Sequence, residues 1–163
     1  MRGVQVSTLV RAVTLAALCV GLVLLYDEVR GSVWPGVVRA GAPGAPQVAG
    51  MALGLAGAAL ALWCVATFAL LGRGTPAPFA PPRRLVVRGP YRLVRNPMYI
   101  GVGSTLAGAA VFYMSLRLLG YAGLFFLGSH LFVVWYEEPT LRRTFGREYE
   151  VYCGRVGRWW PRA

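Results

Sequence analysis

The sequence predicts an all-α membrane protein with four transmembrane helices and a C-terminal amphipathic helix at the membrane interface, both termini cytoplasmic. Three observations predict it. The chain is 56% hydrophobic and only 14% charged over 163 residues, whereas about a quarter of the residues of a soluble domain are charged. It carries four apolar stretches, and a bilayer core of roughly 30 Å takes about 20 apolar residues per helix. Its seventeen basic residues, all arginine, flank those stretches, as the positive-inside rule expects.

Residues 8–26, "TLVRAVTLAALCVGLVLLY", form the first expected span, with Arg11 close enough to its start to snorkel. The "YDEVRG" that follows offers no small-residue cleavage pattern, which favours a retained helix over a signal peptide. Residues 48–71 form the second span, where Gly50, Gly54 and Gly57 permit close helix approach. The connection "GRGTPAPFAPPRR" (residues 72–84) holds too much proline for a helix and reads as extended. Residues 97–114 and 118–136 form the third and fourth spans. Only "SLR" separates them, so they must pair as an antiparallel hairpin.

In the tail, "EEPTLRRTFGREYEVYCGRVGRWWPRA", the residues Leu141, Phe145, Tyr149, Tyr152 and Val156 recur at helical spacing. They predict one amphipathic helix lying on the membrane, with Trp159 and Trp160 in the headgroup belt. Residues 1–72 thus hold two spans, and residues 73–163 hold the connecting loop, the hairpin and the tail, all in one integrated membrane domain. Six arginines and no acid lie between Arg73 and Arg95, and six more arginines follow Tyr136, which sets both segments on the cytoplasmic side. The expected location is a bacterial inner membrane, with the functional face toward the cytoplasm.

The same charge could signal nucleic acid, but the arginines flank apolar segments and form no groove-reading module, so membrane lipids are the expected partner. Cys19, Cys64 and Cys153 show no CxxC spacing, which argues against a metal site and a disulfide framework. Glycine-rich spans pack within or between chains, which leaves a homo-oligomer open.

Two polar motifs stand at the ends of the hairpin. Asn96 and Pro97 fit an N-cap and first helical position, and Glu138 and Pro139 could open the tail helix in the same way. Emerging on one face of the membrane, both starts would line a shared interfacial pocket. The single histidine, His130, lies seven residues before Glu137 and so on the same helical face. An ionisable residue inside a span is a functional hypothesis in its own right.

"RGPYRLVRNPMYIG" followed by "EEPTLRRTFGREYEVYCGRVGRWWP" resembles the isoprenylcysteine carboxyl methyltransferase and phospholipid methyltransferase group of integral membrane enzymes. The resemblance runs over residues 83–161 in two motifs of matching order. It implies S-adenosylmethionine as methyl donor and a lipid or other hydrophobic acceptor. Carried over by position, Arg84, Leu85, Val86 and Gly89 belong to the cofactor-binding loop, Tyr91 packs on the cofactor, Asn96, Pro97, Met98 and Tyr99 form the pocket wall, and Glu137 binds its polar groups. The tail would fold back as a lid. Gly101 and Gly103 would admit a ligand or another helix. Glu138 and His130 are the residues proposed for catalysis, with Tyr99 and Arg95 as further candidates for a general base.

Two positions depart from the family pattern. Asn96 stands where His is usual, and it hydrogen bonds without titrating. Val133 stands where the prenylcysteine branch carries an Arg for the substrate carboxylate, which argues against a prenylcysteine substrate. The competing readings are a membrane NADPH-dependent reductase, a small four-helix exporter and a purely structural bundle. The chain has no G-x-G-x-x-G fingerprint, and its acids Asp27, Glu28, Glu137 and Glu138 lie at span ends rather than within spans.

Overall fold

The computed structural model describes Gly21, Tyr26, residues 44–71, Leu85 and residues 87–162. Apart from Gly21 and Tyr26, the expected first span, the proline-rich connection, Arg84 and Val86 lie outside the described residues. Those described are almost entirely helical. Helix α1 (Ala45–Leu71) is followed by a 3-10 turn (Gly89–Arg92), α2 (Pro97–Phe112), α3 (Leu116–Phe132), a π-helical turn (Val133–Glu137), α4 (Glu138–Phe145) and α5 (Arg147–Arg155). One parallel bridge, Val94 to Gly157, ties the turn before α2 to the chain end.

Two segments, Ala45–Thr67 and Leu116–Phe145, are long and apolar enough to cross a membrane. Their outward faces are greasy: Leu55 is 66% exposed, Leu62 68% and Leu124 68%. Helices buried in a soluble core would hide such side chains, whereas lipid is their natural solvent. Helix α2 has 16 residues, about 24 Å at 1.5 Å per residue, and falls short of a full hydrocarbon core. The expected third span is therefore shorter than its apolar sequence suggested.

Helices α1 and α2 run antiparallel with almost no side chain between them. A methyl group added at Gly50 would sit 2.5 Å from the Phe112 backbone nitrogen, and one at Gly57 would sit 2.6 Å from the Gly101 oxygen. One at Gly108 would fall on the backbone of Gly54. Thr105 reaches across the same contact, its hydroxyl 3.5 Å from the Gly54 carbonyl of α1 while it donates to the Gly101 carbonyl of its own helix at 3.0 Å. Gly101 and Gly103 are thereby accounted for by helices rather than by a ligand, since Gly101 meets Gly57 and Ala61 and Gly103 meets the Phe126 ring.

The hairpin forms as expected, with its turn at Tyr113, Met114 and Ser115 rather than at "SLR". Ser115 caps α3 by accepting from the Leu118 amide at 3.2 Å. At the other end, α4 does begin at Glu138 and Pro139, but as a continuation of α3 rather than as a separately capped start. Leu116–Phe145 runs on through them, and the Glu138 amide bonds back to Val133, five residues earlier. Pro139 explains this widening: it has no N–H, and in a regular α-helix its ring would strike the carbonyl of Trp135.

The tail also differs from expectation. It is two short helices, broken at Gly146, where φ is +50° and ψ is −125°, a conformation open to glycine and costly for any side chain. Its apolar stripe faces protein. Tyr149, Tyr152 and Val156 are buried together with Leu85, Leu141, Phe145 and Cys153 around them.

Gly108→Val should lower the thermal midpoint in detergent by a destabilisation of about 1–3 kcal/mol. Gly120, which has nothing within 4 Å of an added methyl, should tolerate Ala and gain up to about 1 kcal/mol of helix propensity.

Candidate active site

The arginine-rich turn before α2 and the tail after α3 meet at one end of the bundle. The Arg95 amide donates to the Gly157 carbonyl at 2.8 Å, and the Asn96 side-chain amide donates to the Arg158 carbonyl at 3.2 Å. Asn96 thus occupies the N-cap position of α2 without capping it. Its buried amide anchors the chain end instead.

Glu138, 6% exposed, is the centre of this junction. Arg158 grips it with two parallel bonds, Nε to Oε1 at 2.7 Å and Nη2 to Oε2 at 2.8 Å. Arg95 Nη1 approaches Oε1 at 3.1 Å from the other side and lies 2.7 Å from the Cys153 sulfur. The bonds to Glu138 hold the Arg158 guanidinium above its usual range, and such forked pairs are among the stronger charge-assisted contacts. Both carboxylate oxygens are therefore occupied.

Glu137, one residue earlier in the π turn, faces a different set of groups. The Tyr99 hydroxyl donates to its Oε2 at 3.1 Å. Its second oxygen accepts no hydrogen bond from the described residues. The Tyr99 ring meets Trp159 edge-on, centroids 6.5 Å apart, and the Trp159 indole N–H donates to His130 Nδ1 at 3.1 Å. Residues from α2, α3, the π turn and the chain end thus form one line: His130, Trp159, Tyr99, Glu137. His130 and Glu137 are joined through two aromatic side chains rather than by direct contact.

The remaining expected residues take other positions. Tyr91 is buried against Cys64, with Leu60 and Met98 beside it, and its carbonyl accepts from the Tyr152 hydroxyl at 2.7 Å. Burial pushes the Tyr91, Tyr149 and Tyr152 hydroxyls above their ordinary range, so they persist as neutral donors. Pro97 is fully buried. Gly89 adopts φ +56° beside Thr67 and Trp63, which lets the turn close on α1. Leu85 packs in the tyrosine cluster of the tail.

Sequence reasoning missed Arg158 and gave Trp159 to the headgroup belt. The terminal "RWWP" carried the signal for both. Trp159 is half-buried and bonded, while Trp160 is 82% exposed. No group of three His, Cys, Asp or Glu side chains suited to a metal occurs among the described residues.

A sequence model described as phospholipid methyltransferase matches residues 45–148, more than half of the chain. No curated protein and no solved structure matches.

Glu138→Gln should strand Arg95, whose side chain is only 11% exposed, and removing one partner of a buried pair costs about 3–5 kcal/mol. Limited proteolysis should then cut the tail at Arg155 and Arg158 much faster than in the parent protein. Arg158→Lys, which keeps the charge and loses the fork, should give an intermediate rate.

Proposed function

The chain belongs to the phospholipid methyltransferase family, and on that premise we propose that it is an S-adenosylmethionine-dependent enzyme that methylates a lipid or other hydrophobic acceptor at the cytoplasmic membrane interface. The observation that carries the reading is the Glu137 and Tyr99 pair. A half-buried carboxylate with one oxygen unclaimed by the described residues, beside the Tyr99 ring and, through it, Trp159, suits a zwitterion bearing a sulfonium and an ammonium charge. Once bound, S-adenosylmethionine would supply an electrophilic methyl group.

The chain's own residues then have distinct tasks. Glu137 supplies the counter-charge and a hydrogen-bond acceptor. Tyr99 orients Glu137 and offers a ring face. Asn96 holds the chain end across the site and handles no proton. Tyr91, Pro97, Met98 and Gly89 support the wall from the side of α1, and Arg84, Leu85 and Val86 belong to the loop that would reach the donor's polar end. Glu138 is assigned to anchoring the tail, because two guanidiniums engage both of its oxygens and hold it in the ionised form.

Holding an acceptor nucleophile in line with a methyl group accounts for much of the rate in such a displacement. The exposed apolar faces of α1 and α3 offer a lateral route from the bilayer. Val133, 1% exposed, leaves no charge for a prenylcysteine carboxylate, so the acceptor is of another kind. The arginines of the junction favour a cytoplasmic orientation, in a bacterial inner membrane.

Calorimetry in detergent should give a dissociation constant for S-adenosylmethionine that rises roughly 10- to 150-fold in Glu137→Gln, the equivalent of about 1.5–3 kcal/mol for a bond to a charged group. Tyr99→Phe should lose up to about tenfold. Unchanged affinity in Glu137→Gln would remove that residue from the site. Thermal stabilisation by NADPH, with none by S-adenosylmethionine, would overturn the methyltransferase reading in favour of a reductase.

A further inference from the structure

His130 is exposed on α3 three residues before the π turn, and its ring nitrogen Nδ1 receives the Trp159 indole N–H at 3.1 Å. An indole nitrogen only donates. The imidazole nitrogen opposite it must therefore carry a lone pair, whichever way the ring is turned, and in the neutral ring the proton must sit on the other nitrogen. That nitrogen, Nε2, has no protein partner among the described residues. The two rings lie 6.1 Å apart between centroids and are tilted by 33°, so the ring of Trp159 also limits how the imidazole can turn.

What surrounds the free N–H is equally specific. On the same helical run Leu127 is 55% and Trp135 74% exposed, which sets His130 at the edge of the lipid-facing surface. The polar end of the bundle beside it carries Arg95 and Arg158. A donor at the rim of that basic end suits an oxygen that only accepts and bears negative charge. At a bilayer surface the abundant group of that kind is the phosphodiester of a lipid headgroup.

We propose that Trp159 is a positioning residue that fixes His130 as an Nε2–H donor to the phosphodiester of a membrane lipid, and that His130 takes no part as a base while Trp159 is in place. The proposal rests on the membrane-lipid setting of the proposed function and assigns a headgroup contact within the same site. It also removes His130 from the catalytic role its position in the span suggested. The tail acts through this bond: Arg158, pinned by Glu138 and Asn96, sets Trp159, and Trp159 sets the imidazole.

Because His130 is the only histidine in the chain, its nitrogens can be observed without assignment by mutation. In protein labelled with 15N-histidine and held in a phosphate-free maltoside micelle at alkaline pH, the expected spectrum shows one tautomer, with a one-bond proton coupling at Nε2 and none at Nδ1. Trp159→Phe, which keeps a ring and loses the N–H, should give a mixture of both tautomers. Adding short-chain phosphatidylglycerol should shift the Nε2–H signal of the parent protein, and inorganic phosphate at the same concentration should not.

A proton on Nδ1, or mixed tautomers in the parent protein, would overturn the positioning role. A Trp159→Phe spectrum identical to the parent's would overturn it as well. No shift with the phospholipid, or an equal shift with inorganic phosphate, would overturn the lipid contact. None of these readouts requires methyl transfer, so failure here is distinct from failure of the enzymatic reading.

Discussion

The bidentate grip of Arg158 on Glu138, reinforced by Arg95, is the constraint on which the polar end of this protein depends. Its three members come from the turn before α2, from the helical run that continues α3 and from the chain end, and of these only the turn and the chain end are otherwise joined by a bridge, Val94 to Gly157. A bilayer gives no hydrophobic incentive for such polar segments to gather. Ion pairing and hydrogen bonding have to do it. With the tail drawn in, the Asn96 contact to the Arg158 carbonyl, the Tyr152 contact to Tyr91 and the burial of Tyr149 all become possible. A pair of this kind costs desolvation to form, and its value lies in specifying one arrangement of the chain end.

The adjacent glutamates show how a local irregularity divides labour. In a regular α-helix neighbouring side chains diverge by about 100°, and here Pro139 adds a widened turn beneath them. Glu138 faces the two arginines and is fully engaged. Glu137 faces Tyr99 and keeps an oxygen available. Short of the π turn, the same two residues would present themselves differently to α2 and the tail, so the proline that spoils the helical ladder also turns the two carboxylates toward different partners.

Much of this was legible in the sequence, for identifiable reasons. Apolar length and arginine clustering are strong signals, so the helical class, the hairpin and the meeting of two basic segments at one end could be read directly. The glycines at 50, 54 and 57 announced a close helix contact, and the structure supplies the partner in α2. The two motifs were expected at one pocket, and the hydrogen bond that joins Tyr99 to Glu137 comes from the structure. What could not be read was direction. Helical periodicity reveals that Tyr149, Tyr152 and Val156 share a face, and says nothing of whether protein or lipid covers it. Gly146 looked like one more small residue until its positive φ was known. A carboxylate between two arginines cannot be told from a free one in sequence, which is why Glu138 read as a catalytic residue and Arg158 was passed over.

On the proposed function, the chain end is part of the ligand site, held there by Glu138. Hydrogen–deuterium exchange with and without S-adenosylmethionine tests it most directly. Binding should slow exchange in three separate stretches: residues 95–100, the π turn at Val133–Glu137, and residues 156–160 of the tail. Protection confined to the first two, with the tail exchanging as fast as in the free protein, would contradict it.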